Sequence, residues 1–332
     1  MRYYDLALTP PGSTTPARHW TSHPNGQMDP GALNIEVDAI VAPYATPVGA
    51  STVIVHGLSL TDLRQAPQWG IHADAKTGNL QPGMTLMLKA GMKAGLPLAN
   101  PLQSGIILSG MVVEAFGNWE GTEMDAAFVV QPAIYSEDMP GNIVLNWKAG
   151  TELSTALQHC LSIAYPGFPI TMRLSSNMVL PYDQVHAVHT LTGLASWLRN
   201  FTAQRMLNPV EVAIQGGQII AFDSLYVGPT KQLAFTDLVG QPTWIAPRTM
   251  QAKFVMRADL QIGDTVQMPR GLQSSPGLVQ MQAAAWPGLM TKSETTFQGA
   301  FKVKSVRHIG NFRTPDGSSW VTVVNCVELG AE

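Results

Sequence analysis

Polar and apolar residues alternate over short stretches at both ends of this chain, and a helical period replaces the alternation only in the middle. In Asn34-Ile35-Glu36-Val37-Asp38-Ala39 every second residue is apolar, the pattern of a strand with one buried face. Val53-Ile54-Val55-His56 is a short apolar strand, and Ser59 to Ala66 predicts a short helix stopped by Pro67. Met84 to Met92, Ile106 to Phe116 and Ala126 to Gln131 predict further strands. Leu153, Leu157, Cys160, Leu161 and Ala164 then share one face of a helix, with Thr151 placed to cap it and Pro166 to end it. After a strand at Ile170 to Leu174, the residues Val188, Leu191, Leu194, Ala195, Leu198 and Phe201 predict a second helix that has ended by Asn208-Pro209. Val212 to Ile220 reads as a hairpin turning at Gly216-Gly217, where positive φ costs least.

Alternation resumes in the last third. From Gln251 to Ala258 the apolar Ala252, Phe254, Met256 and Ala258 oppose Lys253 and Arg257. In Phe301-Lys302-Val303-Lys304-Ser305-Val306 the apolar phase slips by one residue after Val303, which predicts a β-bulge near Lys304-Ser305. A turn at Asp316-Gly317 leads into a final strand, Trp320 to Val327, expected to pair with the slipped one. The pattern is therefore mainly β with a small α/β module. Residues 1–148 form one β domain, 149–228 the module of two helices and a hairpin, and 229–332 a second β domain with a long surface loop near 269–295. A length of 332 residues leaves room for that division.

Composition adds one constraint. Charged residues are 13% of the chain, against about 25% in an ordinary soluble protein. No stretch approaches the roughly 18 to 20 apolar residues of a membrane helix, and Met1-Arg2-Tyr3-Tyr4-Asp5 does not open a signal peptide, so no stable membrane association is expected. Low charge without membrane spans points to a subunit whose surface is covered by neighbours, alongside solvation by Gln, Asn, Ser and Thr. The net charge of -3 gives no case for general nucleic-acid binding. It is unevenly divided: residues 1–230 hold 10 Lys and Arg against 16 Asp and Glu, and residues 231–332 hold 10 against 7, so -6 and +3 make up the total. Opposite signs at the two ends suit head-to-tail contacts.

Candidate chemistry is sparse. Asp183, His186 and His189 share a helix face if the second helix begins early, a spacing that suits a metal, but no His-Glu-x-x-His accompanies them. A solvated helix start is the expected reading. His19 and His23 flank Trp20 in a Pro-rich loop, and His159 beside Cys160 is no dyad, since helix neighbours point about 100° apart. The two cysteines, Cys160 and Cys326, read as small buried hydrophobes. Gly57-Leu58-Ser59-Leu60-Thr61 fails as a nucleophile elbow at its last position, and neither a Walker A nor a dinucleotide fingerprint is present. Glu120 with Glu123, and Glu137 with Asp138, are carboxylate pairs in turn-like sequence. No catalytic, cofactor or metal residue is expected, and the chain is not read as an enzyme. Trp69, Trp119, Trp147, Trp244 and Trp286 stand near Gly, Asn or Pro, where they fill a partner's pocket or plug the end of a barrel.

Several blocks resemble a known family. Arg2-Tyr3-Tyr4-Asp5-Leu6 with Asp29 to Asp38, Gly91 to Pro101 with Ala115 to Trp119, Asp237 to Ile245, and Val306 to Asn311 with Trp320-Val321-Thr322 are similar to the baseplate hub proteins of tailed bacteriophages, the group related to late-control D proteins and type VI secretion spike hubs. The resemblance implies two tail-tube-like antiparallel β-barrel or sandwich domains per subunit. It also implies a homotrimer whose six such domains make a pseudo-hexameric ring, joining a hexameric tail tube protein to a trimeric central spike protein. Further implied partners are baseplate wedge or neighbouring tail proteins, and genomic DNA passing transiently through a channel without sequence-specific binding. The implied location is the virion tail, after assembly in the host cytoplasm. Competing readings are a glycan-degrading tail enzyme, a tail tube or tail-tip protein other than the hub, and a β-barrel that binds a small ligand.

Overall fold

A computed structural model describes residues 1–43, 50–74, 76–93, 101–131, 142–226, 228–246, 248–269 and 299–329. The first β segment runs β1 (Arg2–Thr9), β2 (Arg18–Thr21), β3 (Asn34–Val41), β4 (Ser51–His56), α1 (Leu60–Gln65), a small ribbon of β5 (His72–Ala73) and β6 (Leu80–Gln81), β7 (Thr85–Met92), β8 (Gly105–Glu120) and β9 (Glu123–Gln131). The module follows as β10 (Ile143–Trp147), α2 (Leu153–Ala164), β11 (Ile170–Arg173), β12 (Gln184–Val188), α3 (Leu191–Met206), β13 (Glu211–Gln215) and β14 (Gln218–Phe222). The last segment is β15 (Thr230–Gln232), β16 (Thr243–Ala246), β17 (Thr249–Val255), β18 (Thr265–Gln267), β19 (Ala300–Asn311) and β20 (Trp320–Glu328). The protein is mainly β with few helices, as the alternation predicts.

The two β segments share one sheet. Its strands lie in the order β16-β17-β20-β19-β3-β4-β9-β8-β7-β1-β2, with β15 and β18 attached at the start of β19. The joint is β19, whose second half pairs antiparallel with β3 from Val306–Val41 to Asn311–Glu36. Two apolar cores lie under this sheet. One gathers Tyr4, Leu6, Ile35, Val53, Leu88 and Phe128 with Met256, Phe312 and Trp320 from the far end of the chain. The other gathers Met250, Phe254, Val266, Phe301, Val306 and Val324.

The predicted bulge is present. The β19–β20 register shifts between Val303 and Ser305, and Phe301, Val303 and Val306 all reach the second core as a result. The predicted pairing of β19 with β20 also holds, from Phe301–Glu328 to Gly310–Trp320. Ser59 caps α1 by accepting a hydrogen bond from the Asp62 N–H, and a 3-10 turn, Ala66–Gln68, carries the chain through Pro67. The Gly216-Gly217 turn has φ of 60° and 78°, as a two-residue hairpin requires. The loop expected near 269–295 lies outside the described residues, save for 269 itself.

Two expectations for the module need correction. Thr151 does not cap α2: Glu152 holds that position and makes no side-chain cap, while the Thr151 carbonyl accepts from the Trp147 indole 2.7 Å away. The second helix starts later than its apolar period indicates. Val188 ends strand β12, and Thr190 caps α3 by accepting from the Gly193 N–H. The module has its own core, from Ile143 to Ala221, and β10 belongs to it by pairing with β12.

Candidate assembly interface

Strand alternation puts one face of the sheet on the two cores and leaves the other to be accounted for. On that second face lie Gln251 and Lys253 of β17, Val323 and Asn325 of β20, Arg307 and Asn311 of β19, Glu36 and Asp38 of β3, Thr52, Ile54 and His56 of β4, Asp125 and Val129 of β9, and Glu114 and Phe116 of β8. None of them belongs to either core. Lys253, Thr52, Glu114, Phe116 and Arg307 are exposed. The face thus crosses both β segments without interruption.

Its polar groups are laced from strand to strand. Gln251 donates to the Asn325 side chain (3.2 Å), and Asn325 donates to Ser305 Oγ (3.0 Å). Arg307 forks onto both carboxylate oxygens of Asp38, with Nε 2.7 Å from Oδ1, and this pairing raises the Arg307 pKa. Asn311 donates to Glu36 Oε1 (2.8 Å), and His56 Nε2 stands 3.4 Å from the same oxygen. The charges on this face from β17 to β8 are Lys253 and Arg307 against Glu36, Asp38, Asp125, Glu114, Glu120 and Glu123, an acidic balance.

The α/β module stands at one end of this face and is fastened there by buried polar groups. Lys302 alternates with the core residues Phe301 and Val303, so it points away from the core, yet it is 2% exposed. Its ammonium donates to the carbonyls of Asp223 (2.8 Å), Ser224 (3.2 Å) and Tyr226 (2.6 Å), which takes up the donors that burial would otherwise strand. Arg173 adds bonds to the Ile262 carbonyl and the Gln261 side chain and an ion pair with Asp264 (2.9 Å), which Lys231 also meets at 2.7 Å. Gln215 completes the joint by donating to the Leu260 carbonyl and accepting from the Ile262 N–H, both at 2.8 Å.

A second clamp closes the chain ends. The Arg2 guanidinium donates to the carbonyls of Asn311 (2.7 Å), Phe312 (3.1 Å), Thr314 and Asp316 (2.6 Å), holding β1 to the β19–β20 turn. Arg257, expected on the polar side of a strand through Ala258, lies instead beyond the end of β17 and is buried. Burial lowers its pKa, but its hydrogen bonds and charge contacts with Asp259 and Asp237 raise it on balance. The anchors Lys302, Arg173 and Arg2 are invisible to motif reading, because most of their acceptors are carbonyls far away in sequence.

The sequence candidates for chemistry are dispersed. Asp183 pairs with Lys148 Nζ (2.8 Å) and accepts from the Ala149 N–H, and both bonds lower its pKa. His186 lies on β12 and stacks on Trp197 with centroids 4.1 Å apart, where burial lowers its pKa. His189 falls beyond the strand and before α3, so no helix aligns the three. Among the described residues no group of three or more His, Cys, Asp or Glu is placed to hold a metal. His19 meets Asp5 at 3.2 Å, and His23 packs edge-on to Tyr3. Cys160 and Cys326 are buried, with thiols pushed up by burial to about 11 and about 12. Glu120 and Glu123 face each other across the β8–β9 turn, while Glu137 and Asp138 lie outside the described residues. Trp69 and Trp147 are core residues, Trp119 is 63% exposed, and Trp286 lies outside the described residues.

No family model and no curated protein matches the chain. Solved structures do resemble it at low identity. A tail protein from Neisseria meningitidis MC58 aligns over 98% of this chain and 96% of its own, with 10% identity and a TM-score of 0.48. The 43 kDa tail protein of prophage MuSo2 from Shewanella oneidensis aligns over 99% and 98%, with 10% identity and a TM-score of 0.48. A component of the E. coli type VI secretion system, described as similar to T4 bacteriophage tail proteins gp27 and gp5, aligns over 97% of this chain and 76% of its own, with 9% identity and a TM-score of 0.46.

Proposed function

We propose that this chain is a structural baseplate hub of a phage tail, three copies of which form a ring between the tail tube and the central spike. The observation that carries the reading is the polar sheet face that crosses both β segments and belongs to neither apolar core. A face of this kind curves around an axis when copies are set side by side, since sheets twist in one sense. Its balance of two cations to six carboxylates suits a channel wall along which DNA slides without sticking, because phosphate binding requires a local excess of Lys and Arg. The chain's low charge content and the sequence resemblance support the same reading.

On this proposal the role is assembly, not catalysis. Native mass spectrometry of the purified chain, alone and with tube and spike proteins, is expected to give a species of three copies. A chain that stays monomeric under all these conditions contradicts the reading. The competing glycan-degrading role predicts a fall in turbidity when peptidoglycan is treated with the pure protein, whereas the hub role predicts none.

A further inference from the structure

The two ends of the shared face differ in shape and in charge. At one end β8 parts from β7 at Met111, its last paired residue. From Ala115 to Glu120 β8 is paired with β9 alone, and among the described residues no other main-chain hydrogen bond reaches that stretch. Natural edge strands are usually guarded by Lys or Pro, and Glu114-Ala-Phe-Gly-Asn-Trp-Glu120 has neither. Phe116 is 51% exposed on one face of this strand and Trp119 63% exposed on the other. Around them stand Glu114, Glu120, Glu123 and Asp125, with no Lys or Arg between 114 and 131.

The opposite end of the face is the β16–β17 hairpin, with β16 as the terminal strand. Residues 238–258 contain Arg248, Lys253 and Arg257 and no acidic residue. Arg257 is turned inward to Asp237 and Asp259, while Arg248 and Lys253 are exposed, two cations against the single exposed carboxylate of Glu328 on the paired strand β20.

We infer that the acidic outer half of the β8–β9 hairpin docks on the basic β16–β17 end of a second copy of this chain, with Phe116 and Trp119 as its apolar anchors. Like ends repel and unlike ends attract, so the contact is head to tail, the arrangement that closes into a ring when the rotation per copy divides a full turn. The two aromatic rings supply the apolar contact area that charge attraction alone lacks. This inference rests on the ring reading above and names the surfaces that make the ring.

Charge reversal on the full chain tests it. E120K/E123K and R248E/K253E each place like charges across the contact, and each is expected to weaken self-association in sedimentation velocity by about ten-fold or more. All four substitutions in one chain restore opposite signs and are expected to restore association. K253E alone is the arm that leaves Arg248 in place, and an unchanged thermal midpoint establishes that each variant is folded. If the parent associates and every variant associates equally well, the contact lies elsewhere and the inference is overturned while the ring reading stands. A failure of the four-fold variant to recover, with both two-fold variants weakened, also overturns it. A parent that neither self-associates nor assembles with tube and spike overturns the inference and the ring reading together.

Discussion

Lys302 shows how much of this fold rests on single buried side chains. Its ammonium donates to three carbonyls of the loop that leaves the module. Lys302→Met keeps the stem and removes the donors, leaving three buried or half-buried carbonyls unsatisfied. The expected cost is on the order of 2–4 kcal/mol, read as a lower denaturation midpoint and faster proteolysis near 223–226. A variant as stable as the parent shows that water replaces the ammonium there at no cost. His308 is the second such residue. It is fully buried, its Nδ1 lies 2.9 Å from Thr322 Oγ1, and burial pushes its pKa down to about 3. The folded chain therefore keeps the ring neutral, while the unfolded chain protonates it near its ordinary pKa of about 6.5. Stability from this site is complete above that pH and drains away as the pH falls toward 3, by about 1.4 kcal/mol per pH unit. His308→Asn is expected to flatten the stability profile between pH 6 and 4 relative to the parent. Parallel profiles for the two proteins contradict the assignment.

At the scale of elements, the bulge in β19 sets the register of both cores. Removing Lys304 leaves Phe301, Val303, Val306 and His308 in strict alternation, so that deletion keeps every core side chain on its face. Removing Arg307 instead turns His308 and Gly310 outward if the bulge stays, or Val306 outward with Ser305 in its place if the strand drops it. The first deletion is expected to fold and to unfold cooperatively, and the second to aggregate, as circular dichroism and solubility will show. If both deletions fold equally well, the bulge does not fix the register. This strand was legible in the sequence because its phase slip is local and its partner, Trp320 to Val327, follows after one turn. So was β3, whose six alternating residues have no helical reading. The start of α3 was not legible, since Val188 sits three residues before Leu191 and extends its apolar period, although Gln184–Val188 is a strand paired with β10 some forty residues earlier. The pairing of β3 with β19 was equally hidden, because alternation shows that a strand has a buried face and not which distant strand lies beside it. For the same reason the shared polar face, assembled from strands between Glu36 and Asn325, could not be read ahead of the fold.

For the whole molecule, the decisive property is a sheet that belongs to both β segments at once. Two separate barrels on a linker can move against each other, whereas β3 and β19 share six paired positions and Arg2 ties the first strand to the last turn. The subunit therefore presents its polar face as one piece, with the module fixed at its rim by Lys302 and Arg173. In the ring proposed above, that face lines the lumen. Electron microscopy of the assembled particle, at a resolution that traces strands, tests this most directly. The account predicts three copies around the axis, with Arg307–Asp38, Asn311–Glu36 and the Gln251–Asn325 pair lining the channel. A ring whose lumen is lined by the module, or in which this face is buried against another protein, contradicts it.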